Sequence, residues 1–191
     1  MKLLSIQIGQ ARRVKFGERS LLTAGHKEAV HGDVAVLPLG LMGDEQADLS
    51  VHGGLDKAVY AYPSEHYPFW QQARQTAGVS LFDDRLQPGA MGENLTLSGL
   101  LETQLWVGDR LKFANCTLTV TQPREPCFKF NASIGFSGAS KSMALTGFCG
   151  VYLSVDQPGS LSAGEDFELL PGRRSVSIST LFNAKARKHL R

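Results

Sequence analysis

The chain has 191 residues, 42% of them hydrophobic and 20% charged, with 20 Lys and Arg against 18 Asp and Glu. That length suits one compact domain with at most a small appendage, and the composition excludes a collagen-like or disordered chain. A net charge of +2 leaves no global field to recruit nucleic acid or anionic lipid.

Met1–Ile8 is too short and too interrupted, by Ser5 and Gln7, to be the apolar region of a signal peptide. No run approaches the roughly 18 apolar residues of a membrane span, so a cytoplasmic protein with no membrane and no nucleic-acid partner is expected. Leu4, Ile6 and Ile8 alternate with Leu3, Ser5 and Gln7 as in a half-buried strand. Asp33–Pro38 reads as a second strand, and Ala58–Tyr62, stopped by Pro63, as a third. Ser64 is placed to cap a helix reaching Thr76 and ended by Gly78. Pro68 conflicts with a continuous helix, which predicts a short first turn and a restart at that proline.

Strands resume over Asn94–Leu97 and Gln104–Val107. Gly108-Asp109 then turns the chain into a long strand over 110–121, with Ala114, Cys116, Leu118 and Val120 on one face and Thr117, Thr119 and Thr121 on the other. Gly150–Val155 and Asp166–Leu170 are further strands. Beyond Pro171-Gly172, Ser175 or Ser177 caps a helix carrying Ile178, Leu181 and Phe182 on one side, with a basic end that suits a helix C-terminus. Frequent glycines between short apolar runs predict a mainly β protein, a barrel or sandwich, with a few short helices and a C-terminal helix.

Three cysteines, Cys116, Cys127 and Cys149, cannot complete a disulfide framework, and without a CxxC pair neither a zinc ribbon nor a thioredoxin-type motif fits. Free cysteines are mostly core residues, and Cys116, on an apolar strand face, and Cys149, opening a strand, fit that description. Cys127 differs. It sits in Gln122-Pro123-Arg124-Glu125-Pro126-Cys127, where two prolines stiffen the loop and Arg124 and Lys129 supply the cations that favour a thiolate.

Two further segments carry chemistry. In Val51-His52-Gly53-Gly54-Leu55-Asp56-Lys57, the glycines allow close backbone approach and an N–H cradle for an anion, and Lys57 adds a point charge. A plain Gly-Gly turn beside a solvated Asp56–Lys57 pair accounts for the same residues. In Gly89-Ala90-Met91-Gly92-Glu93-Asn94, Glu93 and Asn94 stand at a strand mouth, placed to read a polar heterocycle edge or simply to cap a tight loop.

Taken together, Gly43–Asp48, Val51–Gly54, Asp56–Tyr60, Gly89–Asn94 and Gln122–Cys127 resemble, in order, the motifs of the MOSC family, the domain at the C-terminus of molybdenum-cofactor sulfurases, and most of all its stand-alone YiiM-type bacterial branch. The resemblance implies a MOSC-type β-barrel over 1–170 and a C-terminal helical segment over 171–191, shorter than the branch's usual appendage. It implies that Cys127 is the protein ligand to molybdenum, that molybdenum cofactor (molybdopterin) is bound, and that N-hydroxylated compounds such as 6-N-hydroxylaminopurine are reduced. The family also carries an association with pyridoxal phosphate binding.

On that basis Arg124 and Lys57 are expected to bind the pterin phosphate or polarise the metal's oxo groups. The N–H groups of Gly53 and Gly54 would complete an anion cradle, Glu93 and Asn94 would read the pterin or substrate edge, and His52 would donate a proton. The chain carries no flavin, haem or iron–sulfur signature, and three cysteines fall short of a four-thiolate cluster. A separate electron-donor reductase is therefore the expected partner. A sulfur carrier, with a persulfide on Cys127 handed to a metal cofactor, is the alternative from a different class.

Overall fold

The computed structural model describes residues 1–191 apart from 17–18, 48–52, 82–83 and 187–191, and apart from the side chains of 14–16, 19 and 21. The strands are β1 (Lys2–Ile8), β2 (Arg12–Phe16), β3 (Arg19–Thr23), β4 (Glu28–Val30), β5 (Val34–Leu37), β6 (Gly40–Leu41), β7 (Val59–Pro63), β8 (Leu95–Ser98), β9 (Arg110–Lys112), β10 (Thr117–Pro123), β11 (Val151–Gln157), β12 (Gly159–Leu161) and β13 (Glu168–Leu170). The helices are α1 (Tyr67–Thr76), α2 (Phe128–Ile134), α3 (Ala139–Thr146) and α4 (Ile178–Ala186). Eight strands form one sheet in the order β13-β9-β10-β11-β7-β8-β1-β4; β12-β5-β6 and β2-β3 form two small ones. All pairings are antiparallel except β7 with β8, whose parallel arrangement requires a crossover, here built around α1.

The expected barrel is not closed. The large sheet keeps two edges, β13 and β4; an isolated bridge between Lys2 and Asp166, with backbone hydrogen bonds linking Met1 and Leu3 to residues 164–167, ties the start of β1 to the segment leading into β13. The sheet thus curls without a continuous ladder.

Strand alternation places two cores on opposite faces of the sheet. Val59 and Ala61 of β7, with Val151 and Leu153 of β11, join Leu3, Ile6, Leu111 and Leu118 in the larger core. Tyr60 and Tyr62, the intervening residues of β7, point the other way into a core with Trp70, Phe130, Ile134 and Met143 of the helices. Every residue of β7 is buried, as a strand covered on both faces must be. The helical face of β7 and β11 carries the site described below.

The long strand expected over 110–121 is two strands of a hairpin. Phe113 N–H donates to the Cys116 carbonyl at 3.0 Å, and Ala114 sits exposed in the turn. Residues 104–107 are no strand; a 3-10 turn over Glu102–Gln104 precedes a lone bridge from Trp106 to Ser177. In β1 the pairing with β8 shifts between Leu3 and Ser5. Leu3 is therefore buried and Leu4 exposed, the reverse of simple alternation.

The divided start at Pro68 is present. A 3-10 turn over Ser64–His66 leads into α1, with the proline in its first turn. Ser177 Oγ accepts the Thr180 N–H at 3.1 Å and caps α4. Helices α2 and α3 and the short strands β2, β3, β4, β6 and β12 were not among the expected elements.

Candidate functional site

Where β10 ends, the chain turns through Arg124–Pro126 and enters α2 at Phe128, which leaves Cys127 at the junction in extended conformation. Its side chain makes no capping hydrogen bond. Cys127 is half-buried and lines a cavity of about 320 Å³ on the helical side of the sheet. Lys27, Lys57, Arg124 and Lys129 line the same space against the carboxylates of Asp44 and Glu45, with the rings of Tyr60 and Tyr152 as apolar walls. The local field is therefore cationic although the whole chain is nearly neutral.

Arg124 is locked in place. Its Nη1 donates to the Met91 carbonyl, and its guanidinium lies 4.9 Å from the Tyr60 ring centroid and 5.1 Å from that of Phe130. Burial works against its charge, but the surrounding Tyr60, Tyr152 and Cys127 side chains more than offset this, and its pKa lies above the ordinary guanidinium value. Burial pushes the Tyr60 phenol well up, so it stays neutral, and its hydroxyl donates to the Cys149 carbonyl at 2.8 Å. Lys57 closes a 3-10 turn over Leu55–Lys57, its Nζ 5.7 Å from the Tyr152 ring centroid.

Asn94 also reaches the cavity, but its amide serves the framework. Oδ1 accepts the Tyr60 N–H at 3.1 Å, and Nδ2 donates to the Gln7 carbonyl at 3.2 Å and to Asp44 Oδ2 at 2.9 Å. Glu93 does not line the cavity and is fully buried. Its carboxylate accepts from the N–H groups of Gly89 (2.8 Å) and Met91 (3.0 Å), the Thr96 hydroxyl (3.0 Å) and the Tyr67 hydroxyl. With its acceptor capacity taken by four protein donors, it shapes the 89–92 loop, whose Met91 carbonyl holds Arg124. Neither Gly53 nor Gly54 lines the cavity, and the Gly54 N–H donates to Gln46 Oε1 at 2.9 Å rather than facing an anion. His52 lies outside the described residues.

The structure thus brings Cys127, Arg124, Lys57 and Asn94 together from three separated motifs. It adds residues that the motifs did not single out. Lys27, its side chain 7% exposed, pairs with Asp44 at 2.5 Å. Asp44 Oδ1 also accepts the Gly9 N–H at 2.8 Å. Asp44 stood in the Gly43–Asp48 motif, but nothing in the sequence around Lys27 distinguishes it from a surface lysine. The other two cysteines are buried in the cores, as expected; burial pushes the Cys116 thiol up to about 12 and the Cys149 thiol well above its ordinary value.

A curled β-sheet with helices packed on one face, and one accessible thiol set among cations at that face, defines the class of protein. Residues 48–168 match the family model of the MOSC domain. YflK, an uncharacterised protein of Bacillus subtilis, is 34% identical over 92% of this chain and 76% of its own length. YiiM of Escherichia coli is 39% identical over 80% of this chain and 66% of its own length. A Gibberella moniliformis protein named Reductase is 32% identical over 88% of this chain, which spans 29% of that protein. The crystal structure of YiiM from Geobacillus stearothermophilus superposes with a TM-score of 0.75 at 28% identity, covering 98% of this chain and 84% of that one. The chain belongs to the MOSC family, and within it is similar to YiiM and YflK.

Proposed function

We propose that this protein is a molybdenum-cofactor-dependent oxidoreductase that reduces N-hydroxylated compounds, N-hydroxylated purines among them, with Cys127 as the protein ligand to molybdenum. The observation that carries this reading is the half-buried Cys127 thiol on the wall of a cationic cavity. MOSC domains are associated with molybdenum-cofactor binding, and the name of the fungal relative supports the oxidoreductase class.

The donor set suits this group. Among the described residues no cluster of three or more His, Cys, Asp or Glu could hold a bare metal ion. A single thiolate fits a metal that arrives with its own sulfur ligands, and the cations fit an anionic pterin phosphate. The cavity volume, about 320 Å³, lies at the small end of ligand sites, which run from roughly 300 to 1,000 Å³. When bound, the cofactor supplies the two-electron redox chemistry.

The chain's own residues bind and orient. Cys127 ligates; Arg124, fixed by Met91 and two aromatic faces, and Lys57 at the cavity edge meet the phosphate or the substrate's oxygen; Tyr60 and Tyr152 flank a planar ring. Asn94 and Glu93 hold this wall rather than touch the ligand. His52 is kept as a proton donor. Electrons come from a separate reductase. Residues 1–170 are assigned to the binding domain and 171–191 to a C-terminal segment, of which α4 (Ile178–Ala186) packs against β10, and the protein works in the cytoplasm; no helix among the described residues is long and apolar enough to cross a membrane.

The test is turnover of 6-N-hydroxylaminopurine with dithionite-reduced methyl viologen, using protein from a host that makes molybdenum cofactor. Wild type is expected to reduce the purine and Cys127→Ser to fall to background. Equal turnover in the two would remove Cys127 from the chemistry. A Cys127 persulfide without bound metal would instead mark a sulfur carrier.

A further inference from the structure

Removal of a hydroxyl from nitrogen by reduction consumes two protons, one on the departing oxygen and one on the nitrogen. The inference that follows rests on the reading above and concerns the source of the first. Beside the main cavity lies a polar pocket of about 290 Å³, walled on its far side by Arg12, Glu28 and the Gln87–Ala90 loop. The two spaces share Gly25, His26, Lys27 and Ser133.

Lys27 is held unusually firmly for a lysine. A Cβ added at Gly9 would stand 2.6 Å from the His26 carbonyl oxygen, and one at Gly89 would stand 3.1 Å from the Lys27 carbonyl oxygen. Glycine is therefore needed on both sides for the 24–27 segment to sit where it does. Gly89 of the 89–92 motif serves this packing. The ammonium is anchored by Asp44, itself fixed by Gly9 and Asn94. Among the described residues Asp44 is the one hydrogen-bond partner of Lys27 Nζ, which leaves two of its three N–H bonds for a ligand.

We infer that Lys27 is the acid that protonates the departing hydroxyl oxygen of an N-hydroxylated substrate seated in the adjoining pocket. One Nζ–H bond breaks and one O–H bond forms. The N–O bond breaks with its electron pair leaving on water. The two electrons of the external reductant end on nitrogen, which takes the second proton from solvent. Overall, R–NHOH, two electrons and two protons give R–NH2 and water. Lys27 is left neutral and regains its proton from solvent through the pocket. Burial weakens its hold on the proton, and Arg124 adds to this, while Asp44 and Glu93 act the other way; the balance is a lysine more acidic than one on the surface.

The experiment compares Lys27→Ala and Lys27→Arg with wild type, all loaded with cofactor in the same host and assayed on 6-N-hydroxylaminopurine with reduced methyl viologen. Both variants are expected to keep wild-type molybdenum content and to lose about 100-fold or more in kcat, the usual scale of general-acid catalysis. Added ethylamine should restore part of the rate in Lys27→Ala. It should not do so in Lys27→Arg, whose guanidinium fills the space and keeps its proton. On cofactor-free protein, 15N NMR should show one lysine ammonium titrating below the rest, absent in Lys27→Arg. Wild-type kcat in Lys27→Arg overturns the proposal, as does loss of molybdenum from either variant, or a Lys27→Ala rate that no amine improves. If Lys27→Ala does not fold, Lys27→Arg decides alone, since lost kcat with retained molybdenum supports the acid role. If wild type carries no molybdenum or leaves the purine unreduced, the oxidoreductase reading itself fails and this proposal with it. That result is distinct from an active wild type with an active Lys27→Arg.

Discussion

The Cys127 side chain is half-buried at a cavity wall, whereas Cys116 and Cys149 are 1% and 0% exposed. Burial raises the pKa of both core thiols, Cys116 to about 12, and a thiol titrating that high remains protonated and unreactive at neutral pH. Iodoacetamide at pH 8 followed by peptide mass spectrometry should therefore label Cys127 and leave the other two unmodified in folded protein. Labelling of Cys149 at a comparable rate would contradict the burial described. Cys127 and Arg124 were legible in the sequence because a proline-flanked loop announces its own rigidity. Lys27 was not, because its partner Asp44, and Asn94 that holds Asp44, stand 17 and 67 residues further along the chain and only the fold joins them. Glu93 was noticed for the right location and the wrong reason. Its acid sits at the strand mouth but faces inward, where four donors from its own surroundings consume it.

Among the elements, the division between 3-10 turn and α1 at Pro68 could be read directly, and a serine cap of α4 could be narrowed to Ser175 or Ser177, since both rest on local backbone chemistry. Helices α2 and α3 could not. Gly135 and Gly138 interrupt the 128–146 stretch into two pieces of 7 and 8 residues, too short to show a clear helical period. The strand pattern over 110–121 held for Cys116, Leu118 and Val120 yet hid a turn, across which the buried parity flips: Leu111 pairs with Leu118, and Ala114 is exposed. The segment at 24–27 is fixed by close packing rather than by secondary structure. Gly9→Ala forces a Cβ within 2.6 Å of the His26 carbonyl and 2.9 Å of the Ala24 carbonyl. The expected cost is about 1–3 kcal/mol, the range for an overpacked interior, read as a lower midpoint in urea unfolding. An unchanged midpoint would show that the segment yields freely.

At the scale of the molecule, one curled sheet divides an aliphatic core from an aromatic one, and the cavity opens on the aromatic side. A mainly β fold was evident from the spacing of short apolar runs. Its failure to close into a barrel was not, because closure depends on pairing between β13 and β1 rather than on the pattern of any strand. Trp70 binds the helices to the sheet. Its ring stacks edge-on to Phe130, with centroids 5.1 Å apart, and its indole N–H donates to the Tyr62 hydroxyl at 2.6 Å. Trp70→Ala should cost about 3–5 kcal/mol, measured by urea unfolding. A loss under 1 kcal/mol would mean that the two layers do not unfold together.

The central claim, that the Cys127 thiol holds a metal carried by an anionic cofactor, is tested most directly by molybdenum analysis of wild-type protein and Cys127→Ser, both purified from a host that makes the cofactor. The account predicts near-stoichiometric molybdenum in wild type and its loss in a folded Cys127→Ser. Molybdenum absent from both, or retained in full by Cys127→Ser, would contradict it.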